Sequence, residues 1–344
     1  MKLLVITQKV NRQDPVLGFF HNWVLEFAKK FEKITLIGLE NGVYELPGNV
    51  QVYSLGKDKE ANKAKYIFNF YKYIWQERAN YDAVFVHMNQ EYILLGGLFW
   101  KILGKGVYMW RNHHAGSLLT DLAASFCKHV FCTSKYSFTA KYSKTILMPV
   151  GVALDKFNIK DDVPRVKNSI LFLGRISKTK NVHIFIEALQ TLNLDQIDFV
   201  ASIYGDALPQ DQDYYDDLVR KVNGYGLQES IRFYRGIPNE NTPQVYNAHE
   251  IYVNLSSSGM YDKTIFESTA CGCLTLASNE NLKGNIDSRL IIEDRTAQEV
   301  ANKLRAVLSL KDEEKKELIL QNIEFVKGHS LEALATKLAS IIKS

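Results

Sequence analysis

The segment with the clearest chemical potential runs from Gly259 to Glu267 and reads GMYDKTIFE. The apolar strand IYVNLS precedes it, and a short helix with Gly272 just past its end follows it. A glycine exposes backbone N–H groups, and the first N–H groups of a helix have no partner within the helix, so such a helix start binds anions. Lys263 opposes the helix dipole in the first turn, which indicates a negative ligand nearby. An ordinary βαβ unit with a solvated lysine also fits.

A pair of cations follows another buried strand, in the sequence LFLGRISKTKN. Arg175 and Lys180 stand on the loop into the next helix, at the edge of the predicted sheet. Facing the helix start at 262–264, they would surround a pyrophosphate with charge-assisted hydrogen bonds. Glu267, one turn further along that helix, can accept hydrogen bonds from two sugar hydroxyls. Together these residues predict a nucleotide-diphosphate pocket on one sheet edge.

Histidines follow two neighbouring strands in the N-terminal half. His87 comes after AVFV, and His113 and His114 lie in WRNHHAG. A lone histidine is more often structural than catalytic, but three at adjacent strand ends favour one functional member. Arg111 shares that edge and can bind an acceptor or pair with a local carboxylate, and Glu91 is a candidate partner for an acceptor hydroxyl.

The loop after the first strand, QKVNRQDPVLGFFHNW, lacks the GxGxxG of a dinucleotide oxidoreductase. It is a long polar loop that ends in Gly18, at the start of an aromatic-rich helix. Its backbone can approach a phosphate, although a plain connection between strand and helix fits equally well.

The elements that must position these residues alternate along the chain. Apolar strands such as KLLVIT, ITLIGL and HVFCTS are separated by helical patterns, the first of them over Val16 to Phe31, and the alternation restarts at SILFLGRI after a polar, proline-bounded stretch. The last predicted strand is LIIE, and a helical pattern over roughly Ala297 to Leu308 follows it. This alternation predicts an α/β fold with parallel sheets covered by helices on both faces. Two doubly wound, Rossmann-like domains in tandem leave a cleft lined by the carboxyl ends of both sheets.

Composition agrees with two globular domains, because the chain has 344 residues, of which 46% are hydrophobic and 23% charged. Residues 1–165 carry 22 Lys and Arg against 14 Asp and Glu, whereas residues 166–344 carry 20 and 24. The basic half favours an anionic partner, such as a phospholipid surface, over nucleic acid, although charge for solubility explains it as well. The four cysteines lack zinc-site spacing, and no apolar segment reaches the ~20 residues of a spanning helix. We therefore expect a cytoplasmic protein with reduced thiols.

The segment NKAKYIFNFYKYIWQER interleaves aromatic and cationic residues. As an amphipathic helix it can lie on an anionic membrane, which would place the protein peripherally at the inner face of the plasma membrane. Its aromatic residues are equally explained as the inner face of a packed helix.

Two segments resemble the retaining glycosyltransferases of family 4, which have the GT-B fold. GRISKTKNVHIFIEAL resembles that family's G-R-x-x-x-x-K-G-x-x-x-x-I-x-A, and IFESTACGCLTLAS resembles x-L-E-A-M-A-C-G-x-P-V-I-A-S. The resemblance is specific over 166–280 and looser in the N-terminal half. It implies an acceptor-binding domain over 1–150, a linker over 151–166, a nucleotide-sugar domain over 167–325, and a C-terminal helix over 326–344 that packs back on the first domain.

The resemblance also assigns the site residues. Arg175 and Lys180 would bind the donor phosphates, and Glu267 would bind the ribose hydroxyls. The predicted donor-binding residues are Gly18, Arg175, Lys180, Gly205, Gly259, Met260, Tyr261, Asp262, Lys263, Thr264 and Glu267. The predicted catalytic residues are His87, His114, Arg175 and Lys180, and the predicted acceptor-binding residues are Glu91, Arg111 and His113.

Two positions depart from the family pattern. The family usually has a first glutamate eight positions before the second, where this chain has Gly259, and its G-x-G pair appears here as Tyr204-Gly205-Asp206. The missing glutamate affects the expected donor-sugar contacts, and Asp262 is the residue expected to take over part of its role.

The function implied is transfer of a sugar from a UDP- or GDP-sugar to a hydroxyl of a glycan or lipid-linked glycan, with retention, in polysaccharide assembly. Two side-chain cations, Arg175 and Lys180, can neutralise the diphosphate, so neither a metal nor another cofactor is predicted. Two alternatives remain open at this stage. A GT-B-like sugar-nucleotide epimerase would need several carboxylates in the cleft, and the missing glutamate also fits a catalytically silent nucleotide-binding subunit.

Overall fold

A computed structural model describes residues 1–14, 17–256 and 259–344 of the chain. The chain forms two compact units, one of Met1–Gly151 with Leu331–Ser344 and one of Val152–Ser330. The stretch expected to be a linker, 151–166, therefore lies almost entirely in the second unit. The predicted first helix was expected to begin at Val16, which lies outside the described residues.

The first unit is built on a parallel sheet that has seven strands within the described residues, in the spatial order 3-2-1-4-5-6-7. The strands are β1 (Lys2–Val10), β2 (Lys33–Asn41), β3 (Val50–Ser54), β4 (Ala83–His87), β5 (Gly106–Trp110), β6 (His129–Cys132) and β7 (Thr145–Leu147). The helices between them are α1 (Phe19–Lys30), α2 (Lys63–Gln76), α3 (Glu91–Ile102) and α4 (Leu118–Ser125). All five residues of β4 are buried, as expected of a central strand covered on both faces.

The second unit is built on a parallel sheet with five strands among the described residues, in the spatial order 10-9-8-11-12. The strands are β8 (Val166–Leu173), β9 (Val200–Tyr204), β10 (Ile231–Tyr234), β11 (His249–Asn254) and β12 (Leu274–Ala277). The helices are α5 (Val182–Leu194), α6 (Gln212–Gly224), α7 (Thr242–Ala248), α8 (Lys263–Ala270), α9 (Ala297–Leu308) and α10 (Asp312–Lys327). Because all strands run parallel, the loops that follow them meet at one edge of the sheet.

The last helix, α11 (Leu331–Lys343), belongs to the first unit and packs against α1. Lys343 Nζ donates to the carbonyl of Lys30 at 2.7 Å, and the Tyr108 hydroxyl reaches the carbonyl of Ile342 at 3.5 Å. Helices α1 and α11 therefore cover the same face of the first sheet.

Most strands and helices lie where the sequence predicts them, but one strand does not. The apolar run LIIE, 290–293, was expected to be a strand, whereas it makes a single parallel bridge, between Ile291 and Ala277. All four cysteines are buried and free of disulfides. Within the described residues, no helix combines the length and the apolar character needed to cross a membrane.

Candidate active site

The carboxyl edge of the second sheet brings together the residues singled out in the sequence. The loop after β8 carries Arg175 and Lys180, and the loop after β11 leads through Asp262 into α8. Strands β8 and β11 are hydrogen-bonded neighbours, so these two loops lie side by side. The arrangement predicted from two segments about 80 residues apart is therefore present in the fold.

Lys180 and Asp262 form an ion pair at this edge. Lys180 Nζ lies 2.5 Å from Asp262 Oδ2 and donates a second hydrogen bond to Ser256 Oγ at 2.8 Å. Both side chains are mostly buried, with 29% and 19% of their surfaces exposed. The cation expected to bind phosphate thus has an internal carboxylate partner.

Asp262 also begins helix α8. It is the N-cap residue, and its Oδ1 accepts a hydrogen bond from the backbone N–H of Thr264. Oδ2 accepts from Asn254 Nδ2 at 3.2 Å and from Ser256 Oγ at 3.1 Å. Burial alone would raise the pKa of this carboxyl, but the charge of Lys180 and the hydrogen bonds outweigh burial and hold the pKa at about 2. Asp262 is therefore ionised at neutral pH.

A polar network ties the end of β11 to the first turn of α8. The Tyr252 hydroxyl donates to Thr264 Oγ1 at 2.8 Å, and Asn254 Nδ2 reaches the same oxygen at 3.1 Å. The side chain of Thr264 is therefore used in holding the helix start, and the ligand-binding capacity of this turn rests on its backbone N–H groups and on its neighbours.

Glu267 and Lys263 lie one turn apart on α8, and burial shifts the pKa of each toward its neutral form. Burial raises the pKa of Glu267 to about 7, although the charge of Lys263 and a hydrogen bond from Asn239 Nδ2 at 3.3 Å act against it. Burial lowers the pKa of Lys263 to about 8, with Glu267 acting in the opposite direction. Shifts of this kind, caused by burial of ionisable side chains, are typical of functional sites.

Two asparagines that no sequence motif singles out hold the turn before α8. Asn281 Nδ2 donates to the carbonyl of Gly259 at 2.8 Å, and Asn279 Nδ2 donates to that of Met260 at 2.7 Å. The Tyr261 hydroxyl in turn donates to the carbonyl of Asn281 at 3.0 Å. Gly259 has φ of +67°, a conformation that favours glycine over residues with a Cβ.

Arg175 and Gly205 occupy the neighbouring loops. Arg175 is exposed and makes no hydrogen bond or ion pair with the part of the chain that the structure describes. Gly205 donates its N–H to the carbonyl of Tyr234 at 3.1 Å, and a Cβ on it would lie 2.0 Å from the carbonyl oxygen of Gly174. Close packing of two backbones therefore explains the glycine at 205.

Arg295 is a further cation at this edge that sequence reasoning missed. Its Nη1 donates to Ser278 Oγ at 3.1 Å and approaches the carbonyl of Ser256 at 3.5 Å. Ser256 also accepts from Lys180, so the two cations share a neighbour. Arg295 lies in no recognisable motif, and only the fold brings it to β11 and β12.

In the first unit, His87 ends β4 and is almost fully buried. Its Nδ1 lies 3.1 Å from Thr7 Oγ1, and its ring stacks on Phe20 with centroids 4.0 Å apart. Gly18 closes the turn before α1 by donating to the carbonyl of Asp14 at 3.0 Å, and a Cβ on Gly18 would lie 2.5 Å from that oxygen. Packing therefore fixes the ring of His87, and the close approach of the Asp14 carbonyl explains the glycine at 18.

The loop after β5 presents its histidines to solvent. His113 and His114 are exposed and stack on each other with centroids 4.4 Å apart. His113 Nδ1 lies 3.0 Å from the backbone nitrogen of Ala115 and 3.1 Å from its carbonyl oxygen. Arg111 Nη2 donates to the carbonyl of Ala115, while its buried Nε has no hydrogen-bond partner within the described ranges. Glu91 is exposed at the start of α3.

Comparison with known proteins finds a family match within the second unit. Residues 155–325 match the family described as Glycosyl transferases group 1. None of the curated proteins matches the chain. Solved structures of similar fold include HepE from Anabaena in complex with UDP and glucose, at 17% identity over the whole of both chains with a TM-score of 0.74.

A sucrose-phosphate synthase from Thermosynechococcus elongatus is also similar, at 15% identity over 100% of this chain and 98% of that chain, with a TM-score of 0.75. A glycosyltransferase from Rickettsia africae has a TM-score of 0.75 at 16% identity over 99% of this chain and 98% of its own. At these identities the structures establish the fold, which is the predicted GT-B fold. Residues 155–325 match a group 1 glycosyltransferase domain, and this match agrees with the predicted enzyme class, a glycosyltransferase.

Proposed function

We propose that this glycosyltransferase transfers a hexose from a UDP-sugar to a hydroxyl of a glycan or lipid-linked glycan, with retention of anomeric configuration. The observation that carries the proposal is the cluster of cations around the start of α8, namely Lys180, Arg295 and the nearby Arg175. The uridine is suggested by HepE, which was crystallised with UDP and with UDP-glucose, and GDP-sugars are the second choice.

Catalysis would depend on stabilising the departing diphosphate. The bond between the anomeric carbon and the donor phosphate oxygen breaks, a bond from the acceptor oxygen to that carbon forms, and the acceptor proton passes to the leaving diphosphate. Cationic side chains and the backbone N–H groups at the start of α8 favour the charge that develops on the diphosphate. Lys180 and Arg175 supply this charge in the proposal, and no metal is required by it.

Glu267 is proposed to accept hydrogen bonds from the ribose hydroxyls. It is buried one turn beyond the helix start, and Asn239 Nδ2 donates to it. Burial raises the pKa of this carboxyl, and hydrogen bonds from ribose would favour its ionised form. Within the first unit we retain His87 and His114 as candidate catalytic residues and Glu91, Arg111 and His113 as candidate acceptor contacts.

A nucleotide-release assay tests the proposal. The protein is incubated with UDP- and GDP-sugars, with and without glycan acceptors and with and without a chelator, and the released nucleotide and the anomeric configuration of the product are measured. Release of UDP that increases with acceptor supports sugar transfer, and release unaffected by the chelator supports metal independence. Conversion of the sugar nucleotide without release would indicate an epimerase, and binding without turnover a silent subunit, but neither alternative is favoured by the comparisons.

A further inference from the structure

Helix α2 exposes an apolar face that the first unit does not cover. Phe68 and Trp75 are 60% and 57% exposed, and Ile67 and Tyr71 are also exposed. At 100° per residue these four positions fall within a sector about 100° wide. Large apolar side chains grouped on one exposed face mark an interaction surface more often than scattered ones do.

Helices α3 and α4 continue this face. The Tyr71 hydroxyl donates to the carbonyl of Leu95, and the rings of Trp75 and Phe99 lie 6.0 Å apart, so α2 lies against α3. Helices α3 and α4 are also in contact, and all three bury their inner sides in one hydrophobic core with the sheet. Their exposed apolar side chains, called here the outer helix face, are Ile67, Phe68, Tyr71, Trp75, Leu98, Ile102, Leu118, Leu119 and Leu122.

The outer helix face is framed by cations. Helix α2 contains no acidic residue and carries Lys63, Lys65 and Lys72, all exposed. Lys65 Nζ lies 5.0 Å above the ring of Phe68, so this charge sits directly beside the apolar sector.

Arg78 lies 4.2 Å above the ring of Trp75, just past the end of α2. Helices α3 and α4 each carry one acidic residue, Glu91 and Asp121, and Asp121 is paired with Lys141 at 2.7 Å. The described part of this layer therefore has an excess of positive charge.

We propose that the outer helix face docks on an anionic lipid bilayer. Tryptophan and tyrosine place an apolar ring and a polar group at the boundary between headgroups and acyl chains, while lysine and arginine reach the phosphates of anionic lipids. A second copy of the chain is a poorer occupant, because two such faces would bring the lysines of α2 against each other. The face requires no change in the sugar-transfer site, so it goes beyond the proposed function.

Tryptophan fluorescence offers a direct test, because Trp75 is exposed whereas Trp23, Trp100 and Trp110 are buried. Vesicles of phosphatidylcholine alone, or of phosphatidylcholine with phosphatidylglycerol, are added to the full chain, and the emission spectrum and the sedimented fraction are recorded. We expect a blue shift and sedimentation with the phosphatidylglycerol vesicles, both weakened by added salt. The variant Trp75→Phe should still sediment but lose the blue shift.

Two double variants separate the apolar and the electrostatic contributions. Phe68→Ser with Trp75→Ser, and Lys65→Glu with Lys72→Glu, should each weaken vesicle binding by roughly tenfold or more, since each lysine near an anionic surface contributes about 1 kcal/mol. The control Leu320→Ser removes an equally exposed leucine from α10 and should bind as the wild type does.

The outcomes decide the proposal as follows. Release of nucleotide with a soluble acceptor should be the same in both double variants as in the wild type, which keeps this test separate from that of the proposed function. Absence of wild-type binding to anionic vesicles would overturn the proposal, as would equal binding by the wild type and both double variants. Dimerisation in sedimentation velocity that Phe68→Ser with Trp75→Ser abolishes, without vesicle binding, would assign the face to a second copy instead.

Discussion

Removal of Lys180 should destabilise the protein and abolish donor binding for two separable reasons. Lys180 pairs with Asp262, so Lys180→Met leaves a mostly buried carboxylate without its cation. Its remaining donors are Asn254, Ser256 and the backbone of Thr264. Asp262→Asn in the same chain removes the unpaired charge and keeps an N-capping side chain.

The pKa of Asp262 sets the size of the effect. A carboxyl held at about 2, against 3.8 in an unfolded chain, stabilises the folded state by about 2.5 kcal/mol at neutral pH, since each pKa unit corresponds to about 1.4 kcal/mol. Lys180→Met should therefore lower the free energy of unfolding by about 2–3 kcal/mol. Because the folded pKa is depressed, this stabilisation is present above about pH 4 and is lost as pH falls toward 2, so the difference between wild type and variant should narrow there.

Urea denaturation followed by far-UV circular dichroism measures the stability of the wild type, both single variants and the double variant. All four tryptophans lie in the first unit, so their fluorescence reports that unit separately. Calorimetric titration with UDP measures nucleotide affinity in the same four proteins. The matched control is Lys178→Met, which removes an exposed lysine from the same turn and should change neither property.

The double variant should recover at least half of the lost stability and none of the lost UDP affinity. A coupling energy below about 0.5 kcal/mol between the two sites would refute the ion pair as a stabilising interaction. Recovery of UDP binding in the double variant would show that Lys180 does not hold the phosphates.

Further predictions concern the same edge of the sheet. Burial raises the folded pKa of Glu267 to about 7, so stability should fall as pH rises from about 4.5 to 7; Glu267→Gln should flatten that dependence in urea titrations and weaken UDP binding roughly tenfold. Gly205→Ala places a Cβ 2.0 Å from the Gly174 oxygen and should lower the free energy of unfolding by about 1–3 kcal/mol. The control Gly224→Ala has open space around its Cβ and should leave the free energy of unfolding unchanged. Arg175→Ala should leave the free energy of unfolding within about 0.5 kcal/mol but slow nucleotide release roughly a hundredfold, and an unchanged rate would remove its phosphate role.

Much of the fold could be predicted because the signals are local. Helix α9 has the bounds 297–308 that its pattern predicts, and the strands before Arg175 and Gly259 contain the buried apolar runs ILF and IYV, as parallel strands covered on both faces do. The prediction of a strand at LIIE was wrong because an apolar run indicates burial but not strand pairing. Ile291 and Ile292 are buried, yet among the described residues this run forms a single bridge, to β12.

The candidate site could be predicted only in part. Its residue types and sheet edge followed from the sequence, since parallel strands present their following loops on one side. The pairing of Lys180 with Asp262, 82 positions apart, did not, and neither did the arrival of Arg295 beside Ser256. Such contacts depend on the side-chain directions that the packed strands impose, and no local pattern encodes them.

By itself, the sequence determined the two α/β units, the positions of their strands and the group of residues from Arg175 to Glu267 that could bind a diphosphate. Only the tertiary structure decided which charges face each other and which aromatic residues face water. The aromatic residues of α2 show the reason: Phe70 and Phe68 are two residues apart, yet one is 1% exposed and the other 60%. The sheet and α3 cover one side of the helix, and burial is fixed by what the rest of the chain packs against it.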